Sequence, residues 1–108
     1  MTLPEIIRQC NGLEISEQRS ATDKYHELVF YNKDIDQWNK IFTDILGPPV
    51  KPQGEAPTQK DLELTNDYGS IYDNQTLFKK KFDHATVIAM FWPWRDGEHT
   101  TLKLALFP

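Results

Sequence analysis

Apolar residues recur along this chain with two periods, and each period marks out elements. Leu3, Ile6, Ile7 and Cys10 stand three and four apart behind Thr2-Leu3-Pro4-Glu5, where Thr2 and Glu5 form a capping box around a first-turn proline. The spacing predicts a short helix over residues 3–11, stopped at Gly12. Ile35, Trp38, Phe42 and Ile45 repeat the pattern, widened by Ile41 and Leu46. Asp34 and Gln37 read as a second capping box, and Gly47-Pro48-Pro49 as a sharp stop. Thr58 and Asp61 open a third capped segment running towards Tyr68-Gly69, although Leu62 and Leu64 alternate as a strand would. Residues 16–24 are polar without alternation and read as a loop. Residues 47–60 carry Pro48, Pro49, Pro52 and Pro57 and read as an extended connector, with Pro49-Val50-Lys51-Pro52 matching a PxxP pattern.

The second period is that of a strand. Tyr25 to Tyr31 is aromatic and β-branched, and residues 75–82, 85–94 and 98–107 follow in the C-terminal half. Asp83-His84 predicts one turn there. Asp96-Gly97 predicts a two-residue hairpin turn in which both central positions favour positive φ. If that turn holds, Trp94 faces His99, Trp92 faces Thr101, Met90 faces Lys103, and Arg95 faces Glu98 as an ion pair. If the Asp83-His84 turn holds as well, Phe78 falls against Ala89 and Phe82 against Ala85.

Alternation sorts this hairpin onto two faces. Ala85, Val87, Ala89 and Phe91 join Leu102, Leu104 and Leu106 on a face built for a core. Ile88, Met90, Trp92 and Trp94 stand on the other, beside His99, Thr101, Lys103, Ala105 and Phe107. Left open, that second face would present on the order of 500 Å² of apolar surface, near the largest patch a monomer tolerates. Three covers compete: the chain's own helices at 35–46 or the N-terminus, a second copy or another protein, and a small apolar or aromatic ligand. Pro93 has no N–H to give, so the Trp94 end is expected to be the most open.

Length and charge narrow the classes. The 108 residues fit a single α+β domain spanning 1–108, with 39% hydrophobic and 26% charged residues as in ordinary folded proteins. No apolar run approaches the ~20 residues that cross a bilayer, and the N-terminal stretch has no leader pattern, so no membrane partner and a cytoplasmic location are expected. A net charge of −4 argues against nucleic acid. Lys79-Lys80-Lys81 between Phe78 and Phe82 reads instead as a guarded edge strand. The single cysteine, Cys10, lies on an apolar stripe and reads as a buried structural thiol.

Candidate chemistry is sparse. His26, His84 and His99 with Glu27, Asp83 and Glu98 invite a metal reading, yet the hairpin puts His84 and His99 about 30 Å apart at ~3.3 Å per residue. No metal and no cofactor are therefore expected. No nucleophile elbow or phosphate loop is present, and the balance leans away from an enzyme. The fold expected is α+β: an antiparallel sheet of about four strands with two or three short helices mainly on one face, and a C-terminal hairpin turning at Asp96-Gly97. The function expected is a protein-interaction or self-association module, as a homodimer or with another protein, using Met90, Trp92, Trp94, His99, Thr101 and Lys103. The alternative is a small-molecule-binding domain in which the same aromatics line a pocket for an apolar or aromatic ligand.

Overall fold

A computed structural model describes residues 2–108 and has the α+β architecture: one antiparallel sheet with helices on both sides. In chain order the elements are α1 (Leu3–Arg8), β1 (Ile15–Ala21), β2 (Tyr25–Tyr31), α2 (Ile35–Leu46), α3 (Gln59–Thr65), β3 (Thr76–Lys81), β4 (Thr86–Pro93) and β5 (His99–Phe107). The sheet has five strands in the order β1-β2-β5-β4-β3. None of the described helices is long and apolar enough to cross a membrane.

The fifth strand is β1, within a segment that reads as a loop. Its residues are polar and nearly all exposed, so neither side carries the apolar alternation that betrays a strand. It forms because β2 offers an unpaired ladder, and it pairs irregularly, with shifts between Ile15 and Glu17 and between Gln18 and Ser20. Such bulges twist an edge away from further pairing.

Both flanking helices begin where the cap chemistry dictates. Thr2 and Glu5 close the box at α1, and Thr58 and Asp61 close another at α3, which settles the helix-or-strand ambiguity there. Asp34 makes no such cap. A 3₁₀ turn at Asn32–Asp34 runs straight into α2 and leaves the aspartate side chain unused for capping. The PxxP stretch is not free either: Lys51 forms a bridge with Leu77 of β3, and its ammonium is buried against the carbonyls of Pro52, Asp73 and Gln75.

One face of the sheet is closed by α1 and α2. Leu3, Ile6, Trp38, Phe42 and Leu46 lie over Leu28, Phe30, Phe78, Ala89, Phe91 and Leu102 in a single buried cluster. Its aromatics interlock, Trp38 stacked on Phe30 at 4.4 Å and Phe91 edge-on to both Phe30 and Phe42. Cys10 belongs to this cluster and is buried, and burial pushes its thiol up to about 12. The register Phe78 to Ala89 places large against small across β3 and β4.

Candidate functional site

The hairpin register follows the expected pairing: Met90 opposite Lys103, Trp92 opposite Thr101, and the Trp94 N–H donating to the His99 carbonyl at 2.9 Å. Trp92 and Trp94 therefore share the face away from the leucines. The turn itself differs in type. Only Gly97 takes positive φ, at 72°, while the Asp96 carboxylate accepts from the backbone N–H of Glu98 and His99. Asp96 Oδ2 also lies 2.6 Å from His99 Nδ1. The aspartate thus acts as a side-chain staple and has no need of a left-handed backbone. These hydrogen bonds, the one from Glu98 first and then that from His99, hold its carboxyl below the usual range. The expected pair of Arg95 and Glu98 is not among the ion pairs of the described residues; both side chains point to water.

The tryptophan face is closed over most of its length, and not by the helices expected to do it. The covering segment is α3 with the 3₁₀ turn Asn66–Tyr68 and the residues after it. Ile71, Leu77, Ile88, Met90 and Ala105 are buried beneath it, with Leu64, Tyr68, Trp92 and Phe107 packed around them. Gly69 is the point of closest approach. Its φ is +101°, and a Cβ there would sit 2.7 Å from Trp92 Cη2 and 3.1 Å from Lys103 Nζ. Glycine is required twice over, by backbone conformation and by space.

Lys103 is the latch. Its ammonium lies 3.6 Å from the centroid of the Trp92 ring and donates to the Tyr68 carbonyl at 2.9 Å. Burial lowers its pKa from the usual lysine range. Three of the expected surface residues are therefore internal or committed: Met90 is fully buried, Thr101 is 5% exposed, and Lys103 is spent on the chain's own loop. Trp92 is partly buried under Gly69 and Tyr72, and its Nε1 has no hydrogen-bond partner.

Trp94 is different. The residue remains 37% exposed, as expected of the strand end behind Pro93. The ring is nonetheless fixed: Nε1 donates to Thr101 Oγ1 at 2.8 Å, and the His99 ring lies 4.9 Å away. The Arg19 guanidinium sits over it at 5.7 Å, tethered to Glu17 and Glu27. Tyr31 adjoins His99 at 5.3 Å. Arg19 was not among the residues that sequence singled out, because it stands on the strand that polarity concealed.

The histidines do not gather. His84 is in the turn after β3, His26 is buried opposite Leu104, and His99 lies at the other end of the hairpin. Asp96, Glu98 and His99 bring ligand atoms within 4.8 Å of one another, but two of the three are exposed and Asp96 is already occupied by the turn. Lys79, Lys80 and Lys81 are exposed on the β3 edge and alternate between faces. Comparison with family models, with curated proteins and with solved structures finds no match.

Proposed function

We propose that this chain is a protein-interaction module whose contact surface is the open end of the tryptophan face, centred on Trp94 with His99, Tyr31 and Arg19. The observation that carries the reading is an indole held rigidly on three sides in a residue left 37% exposed. Tryptophan, tyrosine and arginine dominate interface hot spots, and a side chain fixed before binding loses little entropy on contact. Met90, Thr101 and Lys103 support this surface from beneath or beside it and do not touch a partner.

Charge selects the partner. Arg19 lies over the indole with Glu17 and Glu27 paired to it, Asp96 is bonded to His99, and the chain as a whole carries −4. A second copy would bring two chains of like net charge together, which disfavours self-association. A segment carrying arginine or lysine beside an apolar residue suits this surface better, with apolar contact to the open part of Trp94 and attraction to the acidic chain. The alternative of a small ligand between the indoles has less to support it, because Gly69 and Tyr72 already occupy the space against Trp92.

The test is a titration with a short peptide alternating arginine and leucine, followed by the indole N–H resonance of Trp94. A salt-sensitive shift shared with the backbone amides of His99 and Thr101, which in Trp94→Ala no longer respond, is the expected result. An unmoved indole resonance would count against the surface. A mass that doubles on concentration and returns to monomer in Trp94→Glu would replace the basic partner with a second copy.

A further inference from the structure

The opposite face holds a cavity at its edge, where the chain enters α2 and where β3, β4 and β5 end. Its volume is about 160 Å³, and it is more enclosed than the hollow of about 340 Å³ beside Tyr31 and His99. Apolar wall comes from Phe91, Pro93 and Ile35. Polar wall comes from Asn32, Asn39, Gln53 and Thr76, with Thr100 behind. None of these residues carries a charge.

The polar groups are partly spent and partly free. The Thr100 hydroxyl donates to the Asn32 amide oxygen, which fixes the orientation of Asn32 and leaves its NH₂ unused. Asn39 donates once to the Ile35 carbonyl, leaving its oxygen and a second N–H. Thr76 is 8% exposed and Gln53 lies at the mouth, and neither side chain has a hydrogen-bond partner among the described residues. Buried polar groups ordinarily find partners. The Thr76 hydroxyl is unpartnered yet not wholly enclosed, so a guest in the cavity would meet it together with the free groups of Asn39 and Gln53.

We infer that this cavity is a binding site for a small uncharged ring bearing an amide-type edge. Size sets the first limit: a cavity of about 150 Å³ accepts a benzene-sized guest. Wall chemistry sets the second, because the ring would lie against Phe91 and Pro93 while donors and acceptors meet Asn39, Gln53 and Thr76. The third limit is charge: no lining residue could neutralise an ion, and an unpaired buried charge is expensive. The volume equals roughly five waters at ~30 Å³ each, which a bound ring would displace. This site lies across the sheet from Trp94 and stands independently of the interaction surface.

Benzamide is the probe and benzoate its charged counterpart. With benzamide, amide resonances of Thr76 and Phe91 and the side-chain NH₂ signals of Asn39 and Gln53 should shift together, saturating at about millimolar concentration for so small a ligand. Thr76→Val keeps the β-branched shape and should weaken binding about three- to tenfold through the lost hydroxyl. Gln53→Trp, at an exposed loop position that carries no part of the core, should close the mouth and abolish the shifts. Benzoate should bind at least about tenfold more weakly, for want of a counter-charge. The proposal is overturned if benzamide moves none of these signals up to its solubility, if benzoate binds equally well, or if Gln53→Trp leaves the affinity unchanged.

Discussion

The two faces of the sheet are closed by different means. On the leucine face, α1 and α2 lay down apolar residues that interlock with aromatic rings from three strands, and Leu3, Ile6, Trp38 and Phe42 are fully buried. On the tryptophan face a seven-residue helix and a tight turn do the work, held by a lysine on an indole, a glycine against the same ring, and a buried ammonium gathering loop carbonyls. The first closure is non-directional and comes from area removed from water. The second depends on a few polar and steric fits, and it stops short of Trp94. A face closed that way is free to keep one end open without losing its core.

The largest break in this comparison should come from the leucine face. Phe42→Ala removes a fully buried ring edge-on to Phe91 and should cost about 3–5 kcal/mol in urea unfolding. A loss below about 1 kcal/mol would mean that α2 is not a structural lid. Next comes Gly69→Ala, which combines a left-handed backbone with a Cβ 2.7 Å from the Trp92 ring. Roughly 2–3 kcal/mol is expected. The double variant with Trp92→Leu should recover part of that loss, because the two residues share one space. Strict additivity would show that the closure is not steric. Lys103→Met ranks third, at about 1–2 kcal/mol for the hydrogen bond to Tyr68 and the cation–π contact, and amide exchange should accelerate at residues 66–72 before anywhere else.

How legible these features were in the sequence follows the same division. Residues whose burial has a period announced themselves: α2 over Ile35–Leu46, and the strands Tyr25–Tyr31, Thr86–Pro93 and His99–Phe107. Hairpin register was legible because it depends only on where the chain reverses, and it survived although Asp96 takes a different backbone conformation from the one expected. β1 was illegible because its stability comes from the ladder with β2, and its side chains face water on both sides. The lid on Trp92 was illegible for another reason. It rests on contacts between residues far apart in sequence, Lys103 with Tyr68 and Gly69 with Trp92, and no local pattern encodes them. Arg19 beside Trp94 was missed on both counts.

The effect smallest at neutral pH comes from Cys10. Burial raises the Cys10 thiol to about 12 from an ordinary 9.0, so the folded chain keeps a proton that the unfolded chain gives up between those values. Its contribution to stability is complete below pH 9 and fades as pH climbs towards 12. At pH 8, thiol labelling with a disulfide reagent should therefore proceed no faster than unfolding. Rapid labelling of the native protein would place Cys10 outside the leucine-face cluster.

The central claim is that the segment after α3 seals Trp92 and leaves Trp94 open, and acrylamide quenching of single-tryptophan chains at dilute concentration tests it most directly. Trp38→Phe is a suitable background, since the Trp38 Nε1 has no hydrogen-bond partner to lose. With Trp92 also replaced by Phe, the remaining Trp94 should be readily quenched. With Trp94 replaced by Phe, the remaining Trp92 should be largely protected, and Gly69→Ala should expose it. Equal quenching of the two indoles in the parent backbone, or a protected Trp94, would contradict the account.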